Sequence, residues 1–406
     1  MKEYLYLFLA VLFISCNSGN QNRYVISSRE PINIDSAYSG SCPSLFKTKD
    51  GALIISWLRD ISDTQAVLCY AEAVNGKDFG PAKVVAGSDN AYPHGENLPR
   101  VIKTPDGRIL AAWGASNPNP ANRYSGLVYY NWSSDNGKHW TVPQALSKDP
   151  NSIDQRYFDV DILKDGRAAV IWLDNRKITD KEGSALYFAT FNENNELENE
   201  RTVGVTCCQC CRTDLFVDKD GNVHMVYRKI INDSIRDMVH SVSFDNGNTF
   251  SVPQRISPDN WVVNGCPHTG PAMAQTPEGL SFVWYTAGNG AGVYYTSSED
   301  NGKTFSEREP VSARPSAKHP QIQITGDGKQ WIVWDEGSSR GGRIGLEIRS
   351  PEGKKLEHIY LTDSVGTASF PVIKPSSGDQ LIVAFSGRQN AANKEQVFYK
   401  IINEEY

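Results

Sequence analysis

Residues 205–214 read VTCCQCCRTD and put four cysteines, Cys207, Cys208, Cys210 and Cys211, into five consecutive positions, with Arg212 and Asp214 directly behind. Half of the chain's eight cysteines stand in this one turn. As thiolates they are ligands for soft metals, Cu(I) or Zn foremost, and they form two interleaved C-x-x-C pairs. Cys266 and His268, in GCPHTGP, extend that donor set. In an oxidising compartment the same thiols instead form disulfides, with Cys266 and Cys42 as the partners. The spacing matches no standard zinc module. Adjacent cysteines in a regular strand point apart, so a single ion shared among them requires an irregular turn.

What positions these residues is a repeat. A turn glycine, alternating β-formers and a closing aromatic recur as GALIISW at Trp57, GRILAAW at Trp113, GRAAVIW at Trp172, GNVHMVY at Tyr227, GLSFVW at Trp284 and GKQWIVW at Trp334. A worn copy, DQLIVAF, ends at Phe385. Each copy has the period-2, β-branched character of a strand, and no segment has the helical period needed for a helix layer. The chain is therefore all-β.

A second signal follows some of these strands: SSDNGKHW (133–140), SFDNGNTF (243–250) and SEDNGKTF (298–305). Asp135, Asp245 and Asp300 open a tight turn, and Gly137, Gly247 and Gly302 take its left-handed position. This pattern resembles the Asp box of the sialidase-like (BNR-repeat) β-propeller superfamily, over about residues 30–406. The resemblance implies four-stranded blades, with the Asp boxes as structural turns. Seven aromatic-ended strands predict seven blades, with six as the alternative. The N-terminal strand in RYVISSREPINID closes the ring by completing the last blade.

Aligned on their aromatics, the innermost strands carry an apolar row, Leu45, Val101, Val160, Leu215, Ala272, Ile322 and Ile373. One residue earlier the row reads Ser44, Arg100, Asp159, Asp214, Pro271, Gln321 and Val372. Alternation sends the first row between blades and the second into the central channel. The thiol cluster, Cys42, His94 and Glu96, Cys266 and His268, and His319 all fall just before or at the start of inner strands. They are expected to ring one mouth of the channel, where propellers take their ligands.

Sialidases hold a carboxylated sugar with three arginines, and use a tyrosine primed by a glutamate and an acidic aspartate. Here Arg100, Arg156 and Arg212 are the candidate clamp, Asp159 and Asp214 the acid and base, and Tyr157 the phenol, with His94, Glu96 and His319 as further sugar contacts. PRVI around Arg100 is not the family's F/Y-R-I-P motif, and Tyr157 has no evident glutamate partner, so no catalytic role is carried over. If the chain is an enzyme, the resemblance implies a glycoside hydrolase, an exo-glycosidase by analogy. Alternatively the arginines and aspartates pair across inner strands as buried bridges. A metal-binding propeller and a non-catalytic surface module for glycan or protein are the other readings.

At the start, MKEYLYLFLAVLFISC has an apolar run from Tyr4 to Ile14, too short for a permanent membrane span, and reads as a secretory signal. With Cys16 and the polar NSGNQN behind it, it resembles the lipobox of bacterial lipoproteins. The expected plan is a signal peptide over 1–16 ending at a lipidated Cys16, a linker over 17–23 and one propeller domain over 24–406. That implies a monomeric cell-envelope lipoprotein held to the membrane by its lipid. The net charge of −6 is spread without a polybasic run, which excludes a nucleic-acid partner.

Overall fold

The computed structural model describes residues 31–403 apart from 74–77, 121, 177–180, 264–266, 339–340, 363–365, 377–379 and 390–392. Cys16, Cys266 and the expected leader and linker lie outside the described residues, which contain no helix. After β1 (Ile32–Asn33) the chain runs in antiparallel meanders. These are β2–β5 (Gly40–Lys47, Leu53–Asp60, Ala66–Ala73, Lys83–Val84) and β6–β9 (Arg100–Lys103, Ile109–Ser116, Gly126–Ser133, Gln144–Ala145). Next come β10–β13 (Gln155–Ile162, Ala168–Asp174, Ser184–Phe191, Leu197–Cys207) and β14–β17 (Asp214–Val217, Val223–Ile231, Ile235–Ser243, Gln254–Arg255). Then follow β18–β21 (Ala272–Gln275, Leu280–Thr286, Gly292–Ser298, Glu309–Ser312) and β22–β25 (Ala317–Ile324, Gln330–Ser338, Gly341–Arg349, Lys355–Tyr360). The last three are β26–β28 (Thr367–Pro375, Leu381–Arg388, Gln396–Ile402). β1 pairs with β28, Ile32 opposite Tyr399, and gives the last sheet its fourth strand. One pairing, Cys207 opposite Lys229, joins the third and fourth meanders into an eight-stranded sheet.

This is the arrangement of a β-propeller. The first strand of each meander touches the first strand of the next, and β26 touches β2. Second strands are apolar on both faces because a sheet lies on either side. Their repeat aromatics Trp57, Trp113, Trp172, Tyr227, Trp284 and Trp334 are all buried. The predicted apolar row enters these inter-sheet cores, as with Leu45 and Val101 beside Val372. Ser44, Arg100, Asp159, Asp214, Gln321 and Val372 line the central cavity, about 260 Å³, but the separation of the two rows is incomplete: Leu45, Val160, Leu215, Ala272, Ile322 and Ile373 of the apolar row reach the same wall, Met273 takes the place expected of Pro271, and Val372 also packs in the first core.

The three Asp boxes are structural turns. Ser133 Oγ donates to Asp135 Oδ1 at 2.9 Å and receives the Gly137 N–H at 2.9 Å, while Asp135 Oδ1 accepts from the amides of Lys138 and His139. Both Asn136 and Gly137 are left-handed, at φ 62° and 83°. A Cβ on Gly137 would run into the Tyr70 hydroxyl, on Gly247 into Phe188 and on Gly302 into His240, so each tip packs on the sheet before it.

The third of these contacts makes the fold acid-sensitive. His240 is buried against His224 (Nε2 to Nδ1 2.9 Å), Phe282, Phe305 and the tip of Gly302, and His224 reaches Asp218 at 3.2 Å. Burial, then the His224 ring, lowers the His240 pKa to about 3. A histidine depressed in the folded state favours unfolding as soon as the unfolded form can protonate. Stability should therefore fall from about pH 6.5 downward, by roughly 3–5 kcal/mol at full development near pH 3. Denaturant melts at stepped pH will show this, and a slope between about pH 6.5 and 4.5, above the carboxylate range, that survives in His240→Phe would contradict the assignment.

Candidate functional site

Four inner strands slip register near their start, between Ser41 and Ser44, Arg156 and Asp159, Lys318 and Gln321, and Ser369 and Val372. A non-glycine residue stands left-handed at each slip: Cys42 (φ 59°), Tyr157 (51°), His319 (51°) and Phe370 (52°). His268 (48°), just before β18, does the same. Bulky residues hold this conformation at a cost of about 1–3 kcal/mol each, and a bulge re-aims the side chain it carries. Four bulges of one kind and the left-handed residue before β18 thus turn two histidines, two aromatics and a thiol toward one end of the channel.

The side chains there form a layered cluster. His268 is exposed and His94 half-buried, their rings 5.9 Å apart, and the His94 ring meets the edge of Tyr157 at 5.7 Å. Tyr157 is 1% exposed, its amide bonds Asn97 Oδ1 at 2.8 Å, and its hydroxyl has no hydrogen-bond partner. Burial raises its pKa, opposed by Arg156 and reinforced by Cys210 and Glu96. Glu96 is thus the acidic neighbour of Tyr157 that the sequence did not reveal. Burial, then His268, lowers the His94 pKa below the usual imidazole value, leaving a neutral base at pH 7.

Beneath them lies a buried ion pair. Arg212 Nη1 donates to Glu96 Oε1 at 3.3 Å, the Arg212 amide donates to Glu96 Oε2 at 3.3 Å, and Nη2 reaches the Pro320 carbonyl at 3.5 Å. His319 is held by Asp335 Oδ2 at 2.7 Å and by the His268 carbonyl at 3.0 Å, under the Phe370 ring at 4.1 Å. Gly95 has no room for a Cβ because the Phe370 ring occupies that space.

The three arginines do not share a clamp. Arg100 bonds Asp159 at 2.7 Å and Ser44 at 2.9 Å inside the channel, Arg212 bonds Glu96, and Arg156 bonds Asp154 at 2.6 Å and the Tyr124 carbonyl. Asp159 also accepts the Leu215 amide at 3.1 Å, and Asp214 accepts that of Met273 at 2.9 Å. Both aspartates sit in the channel wall below the mouth cluster, beside Asp161 and Lys374. Burial, then the Asp159 charge, raises the Asp214 pKa, and burial lowers that of Lys374.

The cysteines divide. Cys207 turns into the core around Tyr227 and Leu186, where burial takes its pKa up to about 12. Cys42 is a free thiol packed in the first core with its amide on Ser386. Cys208, Cys210 and Cys211 converge, their sulfurs all within 4.8 Å of one another and buried against Ile230. Cys208 and Cys210 touch as thiols at 3.4 Å. Arg228 Nε donates to Cys211 Sγ at 3.3 Å, and Arg236 Nη1 reaches Cys208 Sγ at 3.9 Å. Hydrogen bonds from Cys210 and Cys211, opposed by burial and helped by these guanidiniums, lower the Cys208 pKa. The cluster therefore could hold a metal through three sulfurs, without Cys207 and with His268 occupied at the mouth.

The profile of the BNR repeat-like domain family matches residues 66–286 of this chain. No curated protein matches the sequence. Among solved structures, one of unknown function from Dyadobacter fermentans is similar at 17% identity, covering 94% of this chain and 99% of that one, with a TM-score of 0.58. The polysaccharide lyase Uly1 is similar at 12% identity over 90% of each chain, TM-score 0.55. The NanB sialidase from Streptococcus pneumoniae is similar at 11% identity over 94% of this chain and 70% of that one, TM-score 0.51. At these identities the likeness is one of fold.

Proposed function

This chain belongs to the BNR repeat-like family, and from that premise we propose that it is an exported, lipid-anchored propeller of seven blades whose mouth takes a glycan and cleaves it by proton transfer. The blade count is supported by the seven first strands in mutual contact and by β1 completing the last sheet. Export and anchoring rest on the apolar run before Cys16. The cleavage reading rests above all on Tyr157, a buried phenol that holds a left-handed backbone and forgoes a hydrogen bond at the foot of the mouth. Two unfavourable features in one residue mark a group kept for a ligand.

In this reading the sugar sits over His94 and His268, with Arg156 beside them for an acidic substituent. His94 takes up a proton and Tyr157 gives one to the leaving glycosidic oxygen. In hydrolysis the proton taken by His94 comes from water; in elimination it comes from a sugar carbon. His94 is faced by His268, Glu96, Arg156 and Tyr157, and its lowered pKa puts the acid limb of turnover below about pH 6.5. Rate profiles on sialoside and uronate-containing oligosaccharides should show that limb, and His94→Gln should lose both the limb and most of the rate. A limb unchanged in His94→Gln would contradict this role, and glycan retention with no product would reduce the mouth to a binding surface. The three converging sulfurs favour a second reading, a Cu- or Zn-binding propeller.

A further inference from the structure

The thiol cluster is sealed from water yet strongly polar. Cys208, Cys210 and Cys211 are 2%, 4% and 1% exposed. Two guanidiniums converge on their sulfurs, Arg228 at 1% exposure and Arg236 at 8%. Arg228 spends its other N–H groups on the carbonyls of Arg236, Thr269 and Tyr285, at 2.9, 3.3 and 2.8 Å, so it is fixed in place facing Cys211. Arg236 bonds the Val263 carbonyl at 3.0 Å and Glu182 at 2.8 Å. Two buried cations against one exposed carboxylate, Glu182, leave at least a single positive charge facing three sulfurs.

That arrangement suits a metal thiolate. Metal–sulfur bonds of about 2.3 Å place three sulfurs about 4 Å apart, which this cluster reaches with little movement. Three thiolates around a divalent ion carry one negative charge, which cancels the positive charge left by Arg228, Arg236 and Glu182. A monovalent soft ion suits the three-sulfur coordination instead.

The cluster is also tied to the mouth. The Cys208 amide is fixed to the Arg228 carbonyl at 2.8 Å. The chain leaves the last thiol directly into Arg212, which binds Glu96, and Thr213, whose hydroxyl donates to the Tyr157 carbonyl at 2.7 Å. Whatever fixes residues 208–211 therefore fixes both partners that position Glu96 and Tyr157.

We infer that Cys208, Cys210 and Cys211 bind one thiophilic cation, Zn(II) or Cu(I), and that the bound ion braces the channel mouth through Arg212 and Thr213. Three metal–sulfur bonds form, and the thiol protons pass to solvent with no change of oxidation state. The inference rests on the glycan reading only in what the brace serves; the metal site stands apart from it.

The test titrates the reduced, chelator-stripped full chain separately with Zn(II) and with Cu(I). Metal content, thiol alkylation and amide exchange at residues 157, 212 and 213 are followed. One equivalent of either ion should be retained through dialysis, Cys208, Cys210 and Cys211 should resist alkylation at denaturant concentrations that open them in the stripped chain, and exchange at the three amides should slow. Cys210→Ser should lose the retained equivalent, and the alkylation readout on the parent chain needs no variant to fold. Failure of both ions to bind overturns the site. Binding with no slowing of exchange overturns the brace. Neither result touches glycan turnover, so the failure of this inference and that of the mouth reading are separately visible.

Discussion

Tyr157→Phe should be at least as stable as the parent protein and should lose most of its glycan turnover. The Tyr157 hydroxyl is buried without a partner, and such a group costs about 1–3 kcal/mol. Removing the oxygen keeps the ring against His94 and relieves that cost, so the expected gain is about 1 kcal/mol. Loss of a general acid lowers turnover by about 10²–10⁴-fold. Tyr227 is the internal control, because it too is buried with an unpartnered hydroxyl but lies in the core with Leu186 and Cys207. Tyr227→Phe should gain similar stability and leave turnover unchanged. Equal turnover in parent and Tyr157→Phe would make Tyr157 a packing residue.

Arg212→Ala should be among the most damaging single changes at the mouth, by about 3–5 kcal/mol. It takes the guanidinium from the Glu96 carboxylate, 2% exposed, leaving it only the backbone amide at 212 and His319 at 3.9 Å, and removes the contact with the Pro320 carbonyl in β22. The cost belongs to the unpaired charge more than to the pair. Arg212→Met combined with Glu96→Gln should therefore be less destabilised than Arg212→Ala alone. Denaturant melts of the two variants decide this. A loss under about 1 kcal/mol for Arg212→Ala would mean that water reaches Glu96 and that the mouth is open beneath His94.

Much of this architecture was legible in the sequence. Local signals carried it: the glycine-to-aromatic repeat marks the second strands, and the S-x-D-x-G phrases mark turns whose hydrogen bonds close within five residues. The gathering of Cys42, His94, Glu96, His268 and His319 near one end followed from their places at the entry to the inner strands. What a strict alternation could not convey was the bulge. A slip of one residue reverses which face a side chain takes, and it brings Tyr157 under His94 while Asp159 and Asp214 stay in the channel wall. One regularity does encode it: Cys42, Tyr157, His319 and Phe370 each stand two places before a member of the inward row. The ion pair of Glu96 with Arg212, 116 residues apart, and the approach of Arg228 and Arg236 to the sulfurs are products of packing between sheets. No local pattern announces them. For the same reason Cys207 and Cys208, neighbours in sequence, serve different cores.

The most direct measurement is the position of a bound acidic oligosaccharide in crystals of the protein. The sugar should lie over His94 and His268, with the Tyr157 hydroxyl turned to a glycosidic oxygen and Arg156 toward the acidic group. A sugar seated in the channel against Asp214 and Lys374, or on a surface remote from Tyr157, would contradict it.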